Sequence, residues 1–209
     1  MKKISALLIF SICALIVFSR ENNLFYRGWS KIHNKPEPIK GHEKDSLPWT
    51  SYKDVSYGND EQQKMDVYLP LVRNSKTRMM IIIHGGGWYQ GDKSEFDSFV
   101  DEFQKRLPGY AFANVNYRLV KKGGNYFPTQ ENDIKSAIEF LKNKSPEYNI
   151  STDYILLGQS AGAQLALLQG YKHSDIVQPK GIISFFGPVD LTFLYKNSDS
   201  AMSTFCKPL

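Results

Sequence analysis

Ser160 is the residue best placed to do chemistry. It sits in Gly158-Gln159-Ser160-Ala161-Gly162, directly after the apolar run Tyr154-Ile155-Leu156-Leu157 and before an Ala- and Leu-rich stretch. A serine hydroxyl is a weak nucleophile unless a tight turn presents it beside a base and near preorganised donors. Glycines on both sides permit a sharp strand-to-helix turn, because a side chain at either would clash as the segments close on each other. Such a turn leaves Oγ exposed and sets the N–H of Ala161 at a helix N-terminus, where main-chain donors lack partners. Upstream, His84-Gly85-Gly86-Gly87-Trp88 follows Met79-Met80-Ile81-Ile82-Ile83. Three successive glycines let the backbone pass close to a bound carbonyl oxygen. A His followed by three Gly arises by chance in on the order of one chain in a thousand of this size, so the pairing of the two motifs is specific. Gly86, Gly87 and Ala161 are the expected oxyanion donors, and removing one such donor typically costs about 3–4 kcal/mol of transition-state stabilisation. His84 precedes the donors and is read as a loop-ordering residue. Trp88 either lines an acyl pocket or covers the core.

The order of elements must bring these motifs together. Ser51 to Tyr57 and Lys64 to Leu69 alternate apolar and polar residues around Gly58-Asn59-Asp60, which predicts a hairpin. Met79 to Ile83, Tyr110 to Asn116, Tyr154 to Leu157 and Gly181 to Phe186 are apolar enough for strands covered on both faces. Between them Phe96, Phe99, Val100, Phe103 and Leu107 recur at helical spacing, then Ile134, Ala137, Ile138 and Leu141 in a helix closed before Pro146, then Ala161 to Tyr171. Strands alternating with helices predict a mostly parallel sheet with helices on both faces, preceded by an antiparallel hairpin. From Asp190 onward the chain turns polar (Ser198, Asp199, Ser200, Ser203) and is expected to lack regular structure.

With these motifs in hand, the chain resembles the esterase/lipase branch of the α/β-hydrolase superfamily that carries a His-Gly-Gly-Gly motif, the hormone-sensitive-lipase-like family, and above all its small bacterial esterases. The matching segments are Asp66-Val67-Tyr68-Leu69-Pro70, His84 to Trp88, Val115-Asn116-Tyr117-Arg118-Leu119, Phe127-Pro128 with Asp133, Gly158 to Gly162, and Gly187-Pro188-Val189-Asp190-Leu191. They fall in family order. The resemblance implies an α/β-hydrolase sheet and hydrolysis of carboxylic esters, commonly short-chain or acetyl esters of small molecules or glycans, without a cofactor or a metal. It departs at Ala163-Gln164, where many relatives have Gly-His. Arg118 and Asp133 are expected to pair structurally, since a buried arginine needs a carboxylate.

The resemblance also implies a triad in the order Ser, acid, His, the acid after a seventh strand and the histidine after an eighth. Only 23 residues follow Phe186, so the expectation is a hydrolase sheet lacking its last two strands. His173 is the single histidine after Ser160 and no Asp or Glu lies between them. At 1.5 Å per helical residue the two are about 19 Å apart, whereas a general base must lie within about 3 Å or one water. Asp175 and Asp190 remain as acids with no histidine to orient. The expected activity is therefore ester hydrolysis impaired by an incomplete triad. The alternative is a non-catalytic exported binding module that retains the pocket. No Gly-x-Gly-x-x-Gly or Gly-x-x-x-x-Gly-Lys-Ser/Thr follows the first interior strand, which excludes a nucleotide-binding domain.

Composition frames this reading. The 209 residues are 42% hydrophobic and 22% charged, which fits one globular domain over Thr50 to Leu209. The net charge of +5 is interspersed, with no basic run to suggest a nucleic-acid partner. Lys2-Lys3 followed by apolar Ile4 to Phe18 reads as an export signal over residues 1–19, with Val17-Phe18-Ser19 at the cleavage site, or as an uncleaved anchor. The domain is then expected outside the membrane, secreted or held at its outer face by residues 4–18. Cys13 lacks the small preceding residue that lipid attachment favours. Cys13 and Cys206 are the only cysteines, so the exported domain has no disulfide partner. The four histidines show no metal-ligand spacing. Residues 20–49, with Pro36, Pro38 and Pro48, read as a polar tether. Nothing in the pattern sets an oligomeric state.

Overall fold

The computed structural model describes residues 49–173 and 178–197. The signal or anchor over residues 1–19, most of the tether, Cys206 and Asp175 lie outside the described residues, as do Ser198, Asp199, Ser200 and Ser203. Six strands form one sheet: β1 (Trp49–Ser56), β2 (Lys64–Pro70), β3 (Met79–Ile83), β4 (Ala111–Val115), β5 (Tyr154–Gln159) and β6 (Gly181–Phe185). Their spatial order is β1-β2-β4-β3-β5-β6. β1 pairs antiparallel with β2 and β2 antiparallel with β4, while β4, β3, β5 and β6 run parallel. This is the mostly parallel α/β-hydrolase sheet with an antiparallel N-terminal hairpin. β1 begins at Trp49, inside the stretch assigned to the tether, and its register shifts between Tyr52 and Val55, where Asp54 has φ 53°.

The apolar runs of β3, β4 and β5 are continuous because both faces of the sheet are covered there, whereas β6, expected to be covered likewise, lies at the edge and is half-buried to exposed. Met79, Ile81 and Ile83 join Val67, Ala113, Val115 and Leu156 in one core cluster, while Met80 and Ile82 join Tyr68, Phe112 and Leu157 in another. The first cluster packs under α2 (Thr129–Tyr148) and α3 (Ala161–Lys172), through Ile134, Ala137, Ile138, Leu141, Leu165 and Ala166. The second packs under α1 (Asp97–Arg106) and the 3₁₀ turn before it, through Phe96, Val100 and Phe103. Phe99 shares the helical spacing but stays 40% exposed.

Two expectations are corrected. The second helix does not close before Pro146; it runs to Tyr148 and ends on Asn149 in the left-handed conformation, φ 51°. Proline removes one N–H near the helix end, and Ser145 Oγ, bonded to Leu141 O at 2.9 Å and lying 2.6 Å from Tyr154 Oη, pins this turn to β5. After Asp190 the chain forms α4 (Leu191–Asn197). The Asp190 carboxylate accepts from the amide of Phe193 at 2.7 Å, as an N-cap side chain does, and its carbonyl accepts from Leu194 at 3.1 Å.

Candidate active site

The Ser160 turn joins β5 to α3. Ser160 has φ 52° and ψ −118°, a conformation that L-residues adopt only under constraint. The constraints are visible. A Cβ on Gly158 would lie 2.3 Å from Gly162 O, and one on Gly162 would lie 2.3 Å from Ile83 O and 2.4 Å from His84 O. Both glycines are therefore dictated by close approach, as the sequence pattern requires. The Ser160 amide donates to Phe185 O at 2.7 Å, fastening the turn to the end of β6. The Ser160 carbonyl accepts from Ala163 and Gln164 at 3.0 and 3.1 Å. Ala161 opens α3, so its N–H belongs to the helix end that has no intrahelical acceptor.

The glycine loop leaves the end of β3 and passes directly beside this turn. A Cβ on Gly85 would stand 3.4 Å from Ser160 Cβ and 3.0 Å from Gln159 O. Gly86 has φ 93°, Gly87 φ 60° and Trp88 φ 67°. The carbonyl of Gly86 accepts from Tyr89 at 3.2 Å and Gln90 at 3.1 Å, closing a tight turn. Among the described residues, the amides of Gly86 and Gly87 donate to no main-chain carbonyl.

His84 orders the loop. It is fully buried, and its Nδ1 donates to Gly85 O at 2.9 Å, which leaves Nε2 as the unprotonated nitrogen; no polar partner meets Nε2 among the described residues. Burial pulls its pKa from 6.5 down to about 4, so the ring is neutral at physiological pH. The Tyr117 ring stacks on it, and Tyr117 Oη lies 3.1 Å from His84 O and 3.0 Å from Gly85 O. Asn116-Tyr117-Arg118 reads from sequence as a structural run, and Tyr117 performs such a role by bracing the glycine loop.

Trp88 is half-buried against the core beneath α2 and α3, and its indole N–H donates to Gln164 Oε1 at 3.3 Å. Asn116 binds the 3₁₀ turn, accepting from Lys93 N at 2.6 Å and donating to Asp92 Oδ2 at 2.7 Å. Arg118 and Asp133 form the expected pair: Asp133 Oδ2 accepts from Arg118 N at 2.8 Å, and Arg118 Nη2 reaches Oδ1 at 2.6 Å. Gln63 adds a donor to the same carboxylate at 2.8 Å.

His173 lies at the far end of α3, as the helix length requires, with its Nε2 2.6 Å from Oε1 of buried Glu131. Lys172 Nζ reaches the same oxygen at 3.0 Å. This group was missed in the sequence, because Glu131 and His173 share no local pattern. The Asp190 carboxylate is committed to the cap of α4. Among the described residues, then, the Ser160 turn and the glycine loop come together, and no histidine–carboxylate pair joins them.

The BD-FAE family model matches residues 65–206. The chain is 29% identical over 115 residues to a "probable isoprenylcysteine alpha-carbonyl methylesterase" of Arabidopsis thaliana, covering 54% of this chain and 23% of that protein. It is 28% identical over 141 residues to the kynurenine formamidase of Salmo salar, covering 66% of this chain and 46% of that protein. Esterase B from Lactobacillus rhamnosis superposes with a TM-score of 0.61 at 22% identity, covering 87% of this chain and 62% of that one. A bacterial heroin esterase superposes with a TM-score of 0.59 at 23% identity, covering 75% and 51%. The chain thus spans less than half the length of these curated relatives. The match over residues 65–206, with the sheet order and both motifs in place, makes this chain a member of the BD-FAE family, in the esterase branch of the α/β-hydrolases.

Proposed function

We propose that Ser160 is the nucleophile of a carboxylic-ester hydrolase, with Gly86, Gly87 and Ala161 supplying the amides that hold the oxyanion. One observation carries the reading: the glycine loop lies against the strained serine turn, the Gly85 Cβ position 3.4 Å from Ser160 Cβ. A carbonyl carbon above Ser160 Oγ would meet a tetrahedral geometry whose oxygen faces two loop amides and a helix tip. Trp88 borders the space where the acyl group would sit. The substrate is a short-chain or acetyl ester of a small molecule or a glycan, and no cofactor takes part. The chain acts outside the membrane, its N-terminal segment serving as signal or anchor.

The base and its acid are not among the described residues. His84 is buried with Nδ1 bonded to Gly85 O, and His173 is bound to Glu131. Without a base beside it Ser160 would turn over slowly, since loss of a triad member costs about 10⁴- to 10⁶-fold. Hydrolysis of p-nitrophenyl acetate by the full chain should exceed that of Ser160→Ala, and equal rates would remove Ser160 from the chemistry. The engagement of both histidines favours one second reading, a binding module that keeps the pocket without turnover. A serine-reactive phosphonate separates the two: stoichiometric labelling at Ser160 supports the hydrolase, and absence of labelling with retained ester binding supports the module.

A further inference from the structure

Gln164 stands where many members of the resembling family have histidine, and it touches both halves of the site. Its main-chain N–H donates to the Ser160 carbonyl at 3.1 Å. Its side-chain oxygen accepts from the Trp88 indole N–H at 3.3 Å. The residue is 7% exposed, on the first turn of α3. Trp88 needs such a partner. It follows Gly86-Gly87 directly and has φ 67°, a left-handed conformation that a bulky side chain adopts only when its surroundings hold it. Three contacts do so: the bond to Gln164, the Trp88 carbonyl accepting from Val120 N at 2.8 Å, and packing of the indole on the core. Val120 ties the loop to the segment after β4, and the Gln164 side chain adds a hydrogen bond from the helix that the serine turn opens.

We propose that Gln164 is a positioning residue that latches the glycine loop to the serine turn, fixing the amides of Gly86 and Gly87 relative to Ser160 Oγ. The proposal rests on the ester-hydrolase reading above. The choice of glutamine has a chemical consequence. A histidine could accept from the indole only through an unprotonated nitrogen, so its latch would open on protonation, whereas an amide oxygen accepts at every pH at which the fold persists.

The test uses the full chain and three readouts: hydrogen exchange of the Trp88 indole N–H, assigned with Trp88→Phe; kcat and KM for p-nitrophenyl acetate; and the thermal midpoint. Gln164→Met keeps the side-chain length and removes the acceptor. It should speed indole exchange by about tenfold and lower kcat by about 10- to 100-fold with KM little changed. Gln164→His should recover both at pH 8 and lose both below about pH 6. Unaltered indole exchange in Gln164→Met overturns the latch, as does a kcat loss that Gln164→His fails to recover at pH 8 while its thermal midpoint matches the parent. If the parent hydrolyses no faster than Ser160→Ala, the ester-hydrolase reading is what fails, and indole exchange still decides whether Gln164 holds Trp88.

Discussion

The imidazole of His84 and the phenol of Tyr117 lie face to face, their centroids 4.3 Å apart and their planes 9° from parallel. The Tyr117 hydroxyl reaches past the ring to the carbonyls of His84 and Gly85. A residue two positions past β4 thereby holds the first two residues of the loop that leaves β3. Tyr117→Phe keeps the stack and leaves two buried carbonyls without that donor. It should cost about 1–3 kcal/mol of stability, read as a lower urea midpoint at unchanged slope. An unchanged midpoint would show that the hydroxyl contributes nothing to the loop.

His84 makes stability depend on pH in a defined window. Its pKa falls from 6.5 to about 4 on folding, because burial disfavours the charged ring. Below 6.5 the unfolded chain takes up a proton that the folded chain refuses. The contribution is therefore complete above 6.5 and lost as pH falls to about 4, amounting to roughly 3 kcal/mol. Urea titrations of the parent and His84→Asn between pH 7 and 4 should converge toward the acid end. Parallel curves would place the folded pKa near its ordinary value. Asp66 and Asp92, whose pKa values are lowered by hydrogen bonds and nearby lysines, lose their contributions in a more acidic range.

Glycine content does not predict which glycines matter. Gly162→Ala drives a methyl to 2.3 Å from Ile83 O, a main-chain atom of the central strand. It should destabilise the fold by about 3 kcal/mol or more and displace the loop from Ser160. Gly109 has nothing within 4 Å of its Cβ position, so Gly109→Ala should lie within about 0.5 kcal/mol of the parent. Calorimetric midpoints of the two variants that fell together would contradict the close packing of β3 on the serine turn.

β6 is an edge of the described sheet, paired only with β5. Ile183 and Phe185 are each 37% exposed, and Phe186 beside them is 62% exposed. An open apolar edge is a template for strand pairing between chains. The protein should scatter light increasingly with concentration, and Ile183→Lys should suppress this at unchanged secondary structure. Equal scattering by the two proteins would place self-association on another surface.

The sequence by itself determined the layers, both chemical motifs and their order. Those features are local: apolar runs and helical spacings report burial, and Gly158 and Gly162 report a turn that excludes side chains. The pairing of Arg118 with Asp133 was also legible, although the charge that is buried is the Asp133 carboxylate and Arg118 stays partly exposed. The end of α2 was not, because contacts of Ser145 with Leu141 and Tyr154 outweigh the local effect of Pro146. α4 is not legible in sequence, because its cap Asp190 opens a stretch whose polar composition resembles a tail. Only the tertiary structure decided that Tyr117 braces the glycine loop, that Gln164 joins Trp88 to the serine turn, and that Glu131 takes His173. Each joins residues from separate segments, and a hydrogen bond across such a distance in sequence leaves no period, spacing or composition for the linear chain to display.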